Sequence, residues 1–279
     1  ALVVPDVANP FFAAVVRGAE SVAVHDGYTV FLANIDESEE RETKVVNSLI
    51  GRVDGMLLTP ASESDPNPQR LADRGVPLVL IDRESAPPGT FDTVLVDNGG
   101  GARIAVEHLI SHGHERIATI AGPVTSTPGR LRFDGYREAL ESHGIELRAE
   151  LCQLGDFKRH GGYQAMMRIL GLADPPTAVF VANNLMTIGA LYALRDLGVQ
   201  VPADISIIGF DDHVLAEIIS PPLTVIDRPM EEQGVLAMRL LTSRLRGANT
   251  GPARRVVLDT RLLERDSCGP PRTQPMPTG

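Results

Sequence analysis

The chain has 279 residues, of which 43% are hydrophobic, and this is enough to bury one large core or two medium ones. Its 26 Lys and Arg are outnumbered by 36 Asp and Glu, so it lacks the clustered positive charge that binding a nucleic-acid backbone requires. No apolar run reaches the length of about 18 to 20 residues that spans a membrane, and two cysteines are too few for a disulfide scaffold.

The first predicted element is an apolar strand at residues 1–5, which leads through Asn9 and Pro10 into Phe11 and Phe12. Asn is a strong helix cap and Pro is favoured in the first helical turn, so a helix is predicted to begin here. Open parallel sheets bind their ligands at the carboxyl ends of the strands. This strand end therefore indicates a small-ligand site with an amide and two aromatic rings.

Beyond this point, short β-branched runs alternate with amphipathic segments. The runs predict strands at 1–5, 28–33, 55–58, 77–81, 93–96, 116–121, 177–181, 205–209 and 223–226. The amphipathic segments predict helices at 10–25, 38–51, 67–74, 98–112, 129–143, 160–171, 184–197 and 229–246. Repeated strand-helix-strand units predict parallel sheets that helices cover on both faces.

Glycines mark the ends of these helices. Six of them fall directly after a predicted helix, where a left-handed cap is favoured: Gly27, Gly75, Gly113, Gly144, Gly198 and Gly247. The strands would form either a single sheet of about nine or more strands or two sheets in domains of about 100 to 150 residues each. The two-sheet arrangement is the commoner one and is the fold class we expect.

Polar residues follow most of the predicted strands and would form a rim of hydrogen-bonding side chains. They are Asn9, Asp36, Thr59, Asp82 with Arg83, Asn183 with Asn184, and Asp211 with Asp212. Carboxylates, amides and guanidinium groups suit vicinal hydroxyls or the edge of a heterocycle, and phenyl rings stack on a sugar or a base. Each also has a structural explanation: the amides as helix caps, the rings as core, and Asp82–Arg83 as a surface ion pair worth under about 1 kcal/mol.

The same residues disfavour an enzyme. Asp82 and Asp211 would be a candidate glycosidase pair, but Arg83 beside Asp82 keeps that carboxylate ionised instead of preparing it to donate a proton. The chain has no nucleophile elbow and no phosphate loop, and the glycines at 99–101 lack the dinucleotide spacing. Those glycines are expected to let a helix start close to a neighbouring backbone.

The histidines do not predict a metal site. His112 and His114 flank the glycine that ends a helix, and His108 lies one turn before His112, without the spacing of a metal-ligand set. No metal and no cofactor are therefore expected, and the chain is predicted to be a binding protein.

Several segments, taken in their order and spacing, resemble the effector-binding core of the LacI/GalR family of bacterial transcription regulators, which is itself similar to periplasmic sugar-binding proteins. The segments are VVPD at 3–6, NPFF at 9–12, RVDGMLL at 52–58, GHERIA at 113–118, VPADISIIGFDD at 201–212 and PPLTV at 221–225.

The resemblance implies an α/β fold of two similar lobes, each a parallel sheet flanked by helices as in periplasmic binding proteins of type I, with the ligand in the interlobe cleft. It assigns residues 1–97 and 229–257 to the N-terminal lobe, and residues 98–228 and 258–268 to the C-terminal lobe. Residues 269–279 are rich in proline and are predicted to be a disordered tail.

The resemblance also implies the ligand contacts known from ribose-binding relatives, and they fall on Asn9, Phe11, Phe12, Asp82, Arg83, Arg132, Phe157, Asn183 and Asp211. Asp227 is a departure, since relatives often have Gln there; Gln donates and accepts, whereas an ionised Asp only accepts. Asp227 either contacts a ligand with an additional donor group or pairs with Arg228 or another adjacent arginine.

The implied function is that of a cytoplasmic homodimeric regulator whose lobes close on a small effector, most simply a monosaccharide, and so change operator binding. The DNA would be bound through a helix-turn-helix headpiece, which we expect to precede this sequence. Two alternatives stay open: a periplasmic sugar-binding receptor of a transporter, and a purine-responsive regulator.

Overall fold

In the computed structural model, residues 1–248 and 251–273 are described, and they form two compact units. Unit 1 comprises Ala1–Val96, Thr125–Thr127 and Pro229–Asp259; unit 2 comprises Asp97–Val124, Pro128–Arg228 and the residues from Thr260 onward. The chain therefore completes neither unit in one continuous segment, and each unit has its own sheet.

Strands and helices are numbered in chain order. The strands are β1 (Leu2–Val4), β2 (Leu32–Asn34), β3 (Met56–Leu58), β4 (Leu78–Ile81), β5 (Asp92–Val96), β6 (Ile117–Ala121), β7 (Cys152–Leu154), β8 (Ala178–Val181), β9 (Ser206–Phe210), β10 (Thr224–Asp227), β11 (Arg255–Leu258) and β12 (Arg261–Leu263). The helices are α1 (Pro10–His25), α2 (Glu39–Leu49), α3 (Asn67–Asp73), α4 (Asn98–Ser111), α5 (Thr127–Ser142), α6 (Arg159–Leu170), α7 (Asn184–Asp196), α8 (Val214–Ile218) and α9 (Met230–Leu245).

Unit 1 is a parallel sheet in the order β2-β1-β3-β4-β5-β11. Its central strands are apolar on both faces because helices cover both faces. Helices α1 and α9 pack on one face, and this core includes Phe11 and Phe12.

Two glycines set how closely α1 and α9 approach. A Cβ atom at Gly18 would lie 2.0 Å from the carbonyl oxygen of Glu231, and one at Gly234 would lie 2.0 Å from that of Val15. Only a residue without a side chain fits such a distance, so the two helices meet backbone to backbone. This contact fixes α1, which carries the first predicted ligand residues.

Unit 2 is a sheet in the order β7-β6-β8-β9-β10-β12, and all its pairs are parallel except β10 with β12. The prediction of a wholly parallel sheet is wrong at this edge. Arg261, the first residue of β12, is paired with Asp227, the last residue of β10, so β12 enters the sheet at its carboxyl edge and must run backwards.

All nine strands and eight helices predicted from periodicity are present, with ends that differ by a few residues. The six cap glycines all have positive φ, from 66° to 92°, as predicted. Periodicity did not predict β7, β11, β12 or α8, since elements of three to five residues are too short to show a period. Within the described residues no helix is long and apolar enough to cross a membrane.

The segment predicted to be a disordered tail is partly described, and residues 269–273 contradict the prediction. The Arg272 guanidinium donates to the carbonyl oxygens of Asp204 and Pro176, at 2.7 and 2.9 Å. The Gly269 carbonyl lies 2.8 Å from Nε2 of His114. These contacts hold the segment against unit 2; residues 274–279 lie outside the described residues.

In unit 1, a buried acid on α2 holds the segment that follows β3. Glu42 is fully buried, and its carboxylate accepts hydrogen bonds from the Ala61 backbone N–H at 2.7 Å and from Asn67 at 3.3 Å. Burial and the neighbouring Asp65 carboxylate raise the pKa of Glu42 to about 8. Between the ordinary pKa of Glu and about pH 8, Glu42 therefore stays protonated in the folded protein, whereas it is ionised in the unfolded chain.

This proton makes stability fall as pH rises. Between the ordinary pKa of Glu and about pH 8, the free energy of unfolding should decrease by up to about 1.4 kcal/mol per pH unit from this residue. We expect Glu42→Gln, which is neutral at every pH, to flatten the dependence of the urea midpoint on pH across this range. Glu40→Gln, on the exposed side of the same helix, should keep the wild-type slope; parallel slopes in all three proteins would contradict the prediction.

Candidate functional site

In each sheet, the residue directly after the fourth strand of the strand order is an aspartate with a left-handed backbone conformation. Asp82 follows β4 with a φ of 66°, and Asp211 follows β9 with a φ of 79°. Each backbone N–H donates to the neighbouring strand, Asp82 to Val94 at 2.9 Å and Asp211 to Ile226 at 2.8 Å. A non-glycine residue in this region costs about 1 to 3 kcal/mol, and such residues collect at functional sites. The two positions are equivalent in the two sheets.

In unit 1, Asn9 caps α1 as predicted. Its Oδ1 accepts the Phe11 backbone N–H at 3.0 Å, and the side chain is buried. The rings of Phe11 and Phe12 lie edge to face, with centroids 4.7 Å apart, and both belong to the core beneath α1. The cap and core explanations therefore hold for these three residues, and a ligand contact would be a second role.

Arg83 and Asp82 are both buried, so they do not form a surface ion pair. The two terminal nitrogens of Arg83 bind the two oxygens of Glu37 at 2.7 and 2.8 Å. One of them also donates to the carbonyl oxygens of Pro60 and Ala61, both at 3.2 Å. Burial lowers the pKa of Arg83, but the carboxylates of Glu37, Asp82 and Glu42 together more than offset this, and the pKa is raised.

In unit 2, Arg132 joins three elements. Its Nε donates to Asn98 Oδ1 at the start of α4, at 2.8 Å, and one terminal nitrogen donates to the carbonyl oxygen of Ala182 after β8, at 2.5 Å. The guanidinium carbon lies 3.6 Å from the centroid of the Phe210 ring in β9. The side chain is 1% exposed, so this charge is held by polar and aromatic partners away from bulk water.

Arg132 reaches Asn98 because glycines let α5 approach α4. A Cβ atom at Gly135 would lie 2.2 Å from the carbonyl oxygen of Gly99. The expected role of the glycines at 99–101 is confirmed in part, since the start of α4 does meet a neighbouring backbone. Within the triplet, a Cβ at Gly100 would lie 2.0 Å from Asp97 Oδ2, and one at Gly101 would lie 2.8 Å from Thr260 Oγ1.

Asn183 connects Phe157 to the sheet of unit 2. Its Oδ1 caps α7 by accepting the Met186 N–H at 2.9 Å, and its Nδ2 donates to the Phe157 carbonyl oxygen at 3.0 Å. Phe157 has a φ of 62°, an outlier for an aromatic residue. Its ring lies over Gly122, where a Cβ would come within 2.1 Å of the ring.

The two remaining aspartates of unit 2 form ion pairs with different arginines. Asp211 Oδ1 lies 2.6 Å from Arg228 Nε, and both side chains are buried. Asp227 Oδ2 lies 2.9 and 2.8 Å from two nitrogens of Arg261, its partner across β10 and β12. Of the two alternatives for Asp227, these contacts support pairing with an adjacent arginine, which is Arg261 instead of Arg228.

The predicted residues therefore form one set on each unit, at the carboxyl ends of the strands. Unit 1 contributes Asn9, Phe11, Phe12, Asp82 and Arg83, and unit 2 contributes Arg132, Phe157, Asn183, Asp211 and Asp227. The sequence analysis missed four partners of these side chains: Glu37, Asn98, Phe210 and Arg228. The rule that located Asn183 would also have located Asn98, which lies two residues after β5.

Comparison with known proteins identifies the family to which this chain belongs. Residues 106–268 match the family of the periplasmic binding protein-like domain. CelR of Thermobifida fusca, an HTH-type transcriptional regulator, is 40% identical over 262 residues, which cover 93% of this chain and 76% of CelR. The chain belongs to the LacI family.

Solved structures of LacI-family proteins share the fold. The CelR–cellobiose complex has a TM-score of 0.89 at 40% identity, covering 95% of this chain and 83% of that one. A LacI family regulator from Enterococcus faecium with bound ribose has a TM-score of 0.84 at 30% identity, covering 96% and 98%. The fold is thus that of LacI-family domains whose structures hold a sugar, and these relatives are transcriptional regulators.

The contact of Gly122 with the Phe157 ring can be tested by adding one methyl group. Gly122→Ala should push the ring from its place and destabilise the protein by about 1 to 3 kcal/mol, as overpacking does. Much of this loss should disappear in a Phe157→Ala background, so a double-mutant cycle in urea measures the coupling.

Gly99→Ala serves as the matched control, because a Cβ there would meet its nearest neighbour, the Leu131 carbonyl oxygen, at an ordinary 3.7 Å. Equal effects of Gly122→Ala in both backgrounds would show that the ring is not what the methyl group displaces.

Proposed function

We propose that this chain is the effector-sensing domain of a LacI-family transcription regulator and that its effector is a monosaccharide. Both residue sets bind the same sugar, each through its own unit. The proposed contacts are Asn9, Phe11, Phe12, Asp82, Arg83, Arg132, Phe157, Asn183 and Asp211. Asp227, bound by Arg261, supports the edge of the sheet instead.

The observation that carries the proposal is the environment of Arg132. A buried guanidinium is held by Asn98 and the Ala182 carbonyl, with Phe210 against its face. A planar group fixed in this way presents its donors in one direction, which suits adjacent hydroxyl groups on a ring. Asp211, held in a strained backbone conformation and paired with Arg228, supplies acceptors on the next strand end.

A monosaccharide is favoured over two other ligands. The ribose-bound relative supports a pentose, while the CelR complex makes a disaccharide such as cellobiose the principal alternative within the sugars. A purine is the third candidate, because a guanidinium, an aromatic ring and a carboxylate also suit a heterocycle edge. The amide of Asn9 and the carboxylates of Asp82 and Asp211 give the polar groups a polyol needs.

Effector binding acts on DNA binding by linkage. A ligand that contacts both units binds most tightly to the arrangement of the units that satisfies both sets, and it shifts the population towards that arrangement. A coupling of about 1 to 3 kcal/mol changes operator affinity by about 5-fold to 150-fold. We propose that the protein works in the cytoplasm as a homodimer and binds its operator through a helix-turn-helix segment.

Two other classes of function receive less support. A periplasmic transport receptor would use the same fold, but the relatives on which the family rests are transcriptional regulators. An enzyme would need a group prepared to donate or accept a proton, whereas the Asp211 carboxylate is held in an ion pair with Arg228, 2.6 Å from its Nε.

Titration calorimetry of this chain against a ligand panel tests the effector class. Ribose and other pentoses, hexoses, cellobiose and the purine bases each represent one alternative. We expect one of the monosaccharides to bind with the highest affinity and at one site per chain. Tighter binding of cellobiose or of a purine would refute the monosaccharide and leave the regulator proposal in place; binding of none would count against both.

Replacing Arg132 tests whether its buried guanidinium binds the effector. Arg132→Met keeps the side-chain volume and the contact with Phe210 but removes the donors, and we expect it to weaken effector binding at least about 100-fold, because hydrogen bonds from a charged group contribute about 1.5 to 3 kcal/mol each. Arg137→Ala, on the exposed side of the same helix, should bind like the wild type. Thermal unfolding of each variant separates loss of binding from loss of fold; a folded Arg132→Met with wild-type affinity would remove Arg132 from the site.

A further inference from the structure

Three side chains with metal-binding atoms come together at the end of α4, and none of them belongs to the residue sets described above. They are His108 and His112, one turn apart on the helix, and Glu264, which follows β12. One ligand atom from each lies within 4.8 Å of the others. The two imidazole rings are 4.6 Å apart between centroids.

The hydrogen bonds of the two histidines leave suitable nitrogens for a metal. Nδ1 of His112 lies 2.9 Å from the His108 carbonyl oxygen, and because that oxygen only accepts, Nδ1 carries the proton. The lone pair of His112 is then on Nε2. The contact with the backbone carbonyl fixes this tautomer, as the second nitrogen of a metal-ligating histidine commonly does.

Nε2 of His108 is a buried atom for which the described part of the chain offers no hydrogen-bond partner. Buried polar atoms are usually satisfied, so this nitrogen is available to bind a group that the protein chain does not itself supply. A metal ion is such a group. The sequence analysis predicted no metal site at these histidines, but positions i and i+4 of a helix direct their rings to the same side, as a pair of metal ligands requires.

His114 shows that sequence proximity alone does not make a ligand. Its Nδ1 lies 2.8 Å from Thr177 Oγ1, and its Nε2 lies 2.8 Å from the Gly269 carbonyl oxygen and 3.1 Å from Ser206 Oγ. Both of its nitrogens are used within the fold. His114 is thus a structural histidine, and His108 and His112 differ from it in having nitrogens to offer.

We propose that His108, His112 and Glu264 bind one Zn²⁺ ion. Two imidazoles and a carboxylate are a donor set that zinc accepts, with water as the fourth ligand. A tetrahedral ion with bonds of about 2.1 Å needs its ligand atoms about 3.4 Å apart. The exposed side chain of Glu264 can close the remaining distance by rotation, because α4 and β12 already hold the other parts in place.

The ion would join the end of α4 to the segment after β12, two parts of unit 2 that are far apart in sequence. His108 lies ten residues along α4 from Asn98, or about 15 Å at the rise of an α-helix. The metal site therefore does not include the residues around Arg132. Zinc should stabilise unit 2 and leave the effector contacts unchanged.

The test uses tag-free protein stripped of metal with a chelator and then dialysed. Competition of Zn²⁺ between the protein and a chromophoric chelator should give one ion per chain, and Zn²⁺ should raise the unfolding temperature. Co²⁺ in place of Zn²⁺ should give the intense visible absorption of a tetrahedral site. The sugar affinity should be the same with and without metal.

Variants connect the binding to these side chains. Losing a residue that only hydrogen-bonds to a metal ligand weakens metal binding by about 10-fold or more. Glu264→Gln and His112→Gln remove ligands themselves, so each should weaken Zn²⁺ binding by more than about 10-fold. Glu115→Gln and His25→Gln, both exposed, are the matched controls and should bind like the wild type. Unfolding in excess chelator checks that each variant is folded.

Three results would overturn the proposal. They are the absence of stoichiometric binding, wild-type affinity in folded Glu264→Gln and His112→Gln, and equal losses in the controls.

Discussion

The buried guanidinium of Arg132 is the interaction on which the architecture of unit 2 depends. A charge withdrawn from water is tolerated only when hydrogen bonds and aromatic contacts replace its hydration, so Asn98, the Ala182 carbonyl and Phe210 must all remain in place. This requirement positions α4, β8 and β9 relative to α5. The close approach at Gly135 is the condition that makes the arrangement possible.

The two units share a backbone arrangement but differ in the side chains that form their ion pairs. Their sheets have the same strand order, and in both a left-handed aspartate follows the fourth strand of that order, Asp82 in unit 1 and Asp211 in unit 2. The partners then differ. Arg83, next to the first aspartate, turns to Glu37, whereas Arg228 pairs with the second aspartate itself. A common backbone plan therefore carries two distinct sets of polar groups.

Local signals in the sequence predicted most of the fold, because hydrophobic periodicity and helix-capping glycines depend only on residues that are close together in the chain. They predicted the strand-end residues Asn183 and Asp211 for the same reason. Arg132 lies in the first half of a helix, where no local signal marks it, and only the family resemblance indicated it. The partnership of His112 with Glu264 was not predictable at all, since it depends on the register of β12, which runs antiparallel to its neighbour.

The discontinuous course of the chain has a consequence for synthesis on the ribosome. Helix α9, which covers the core containing Phe11 and Phe12, emerges only after the whole segment Pro128–Arg228 of unit 2 has been made. Unit 1 thus cannot finish folding first, and its apolar face stays open to chaperones and to misassembly until α9 has been synthesised. Unit 2 in turn waits for β12. The two units are expected to reach the native state almost together, once β12 has been synthesised.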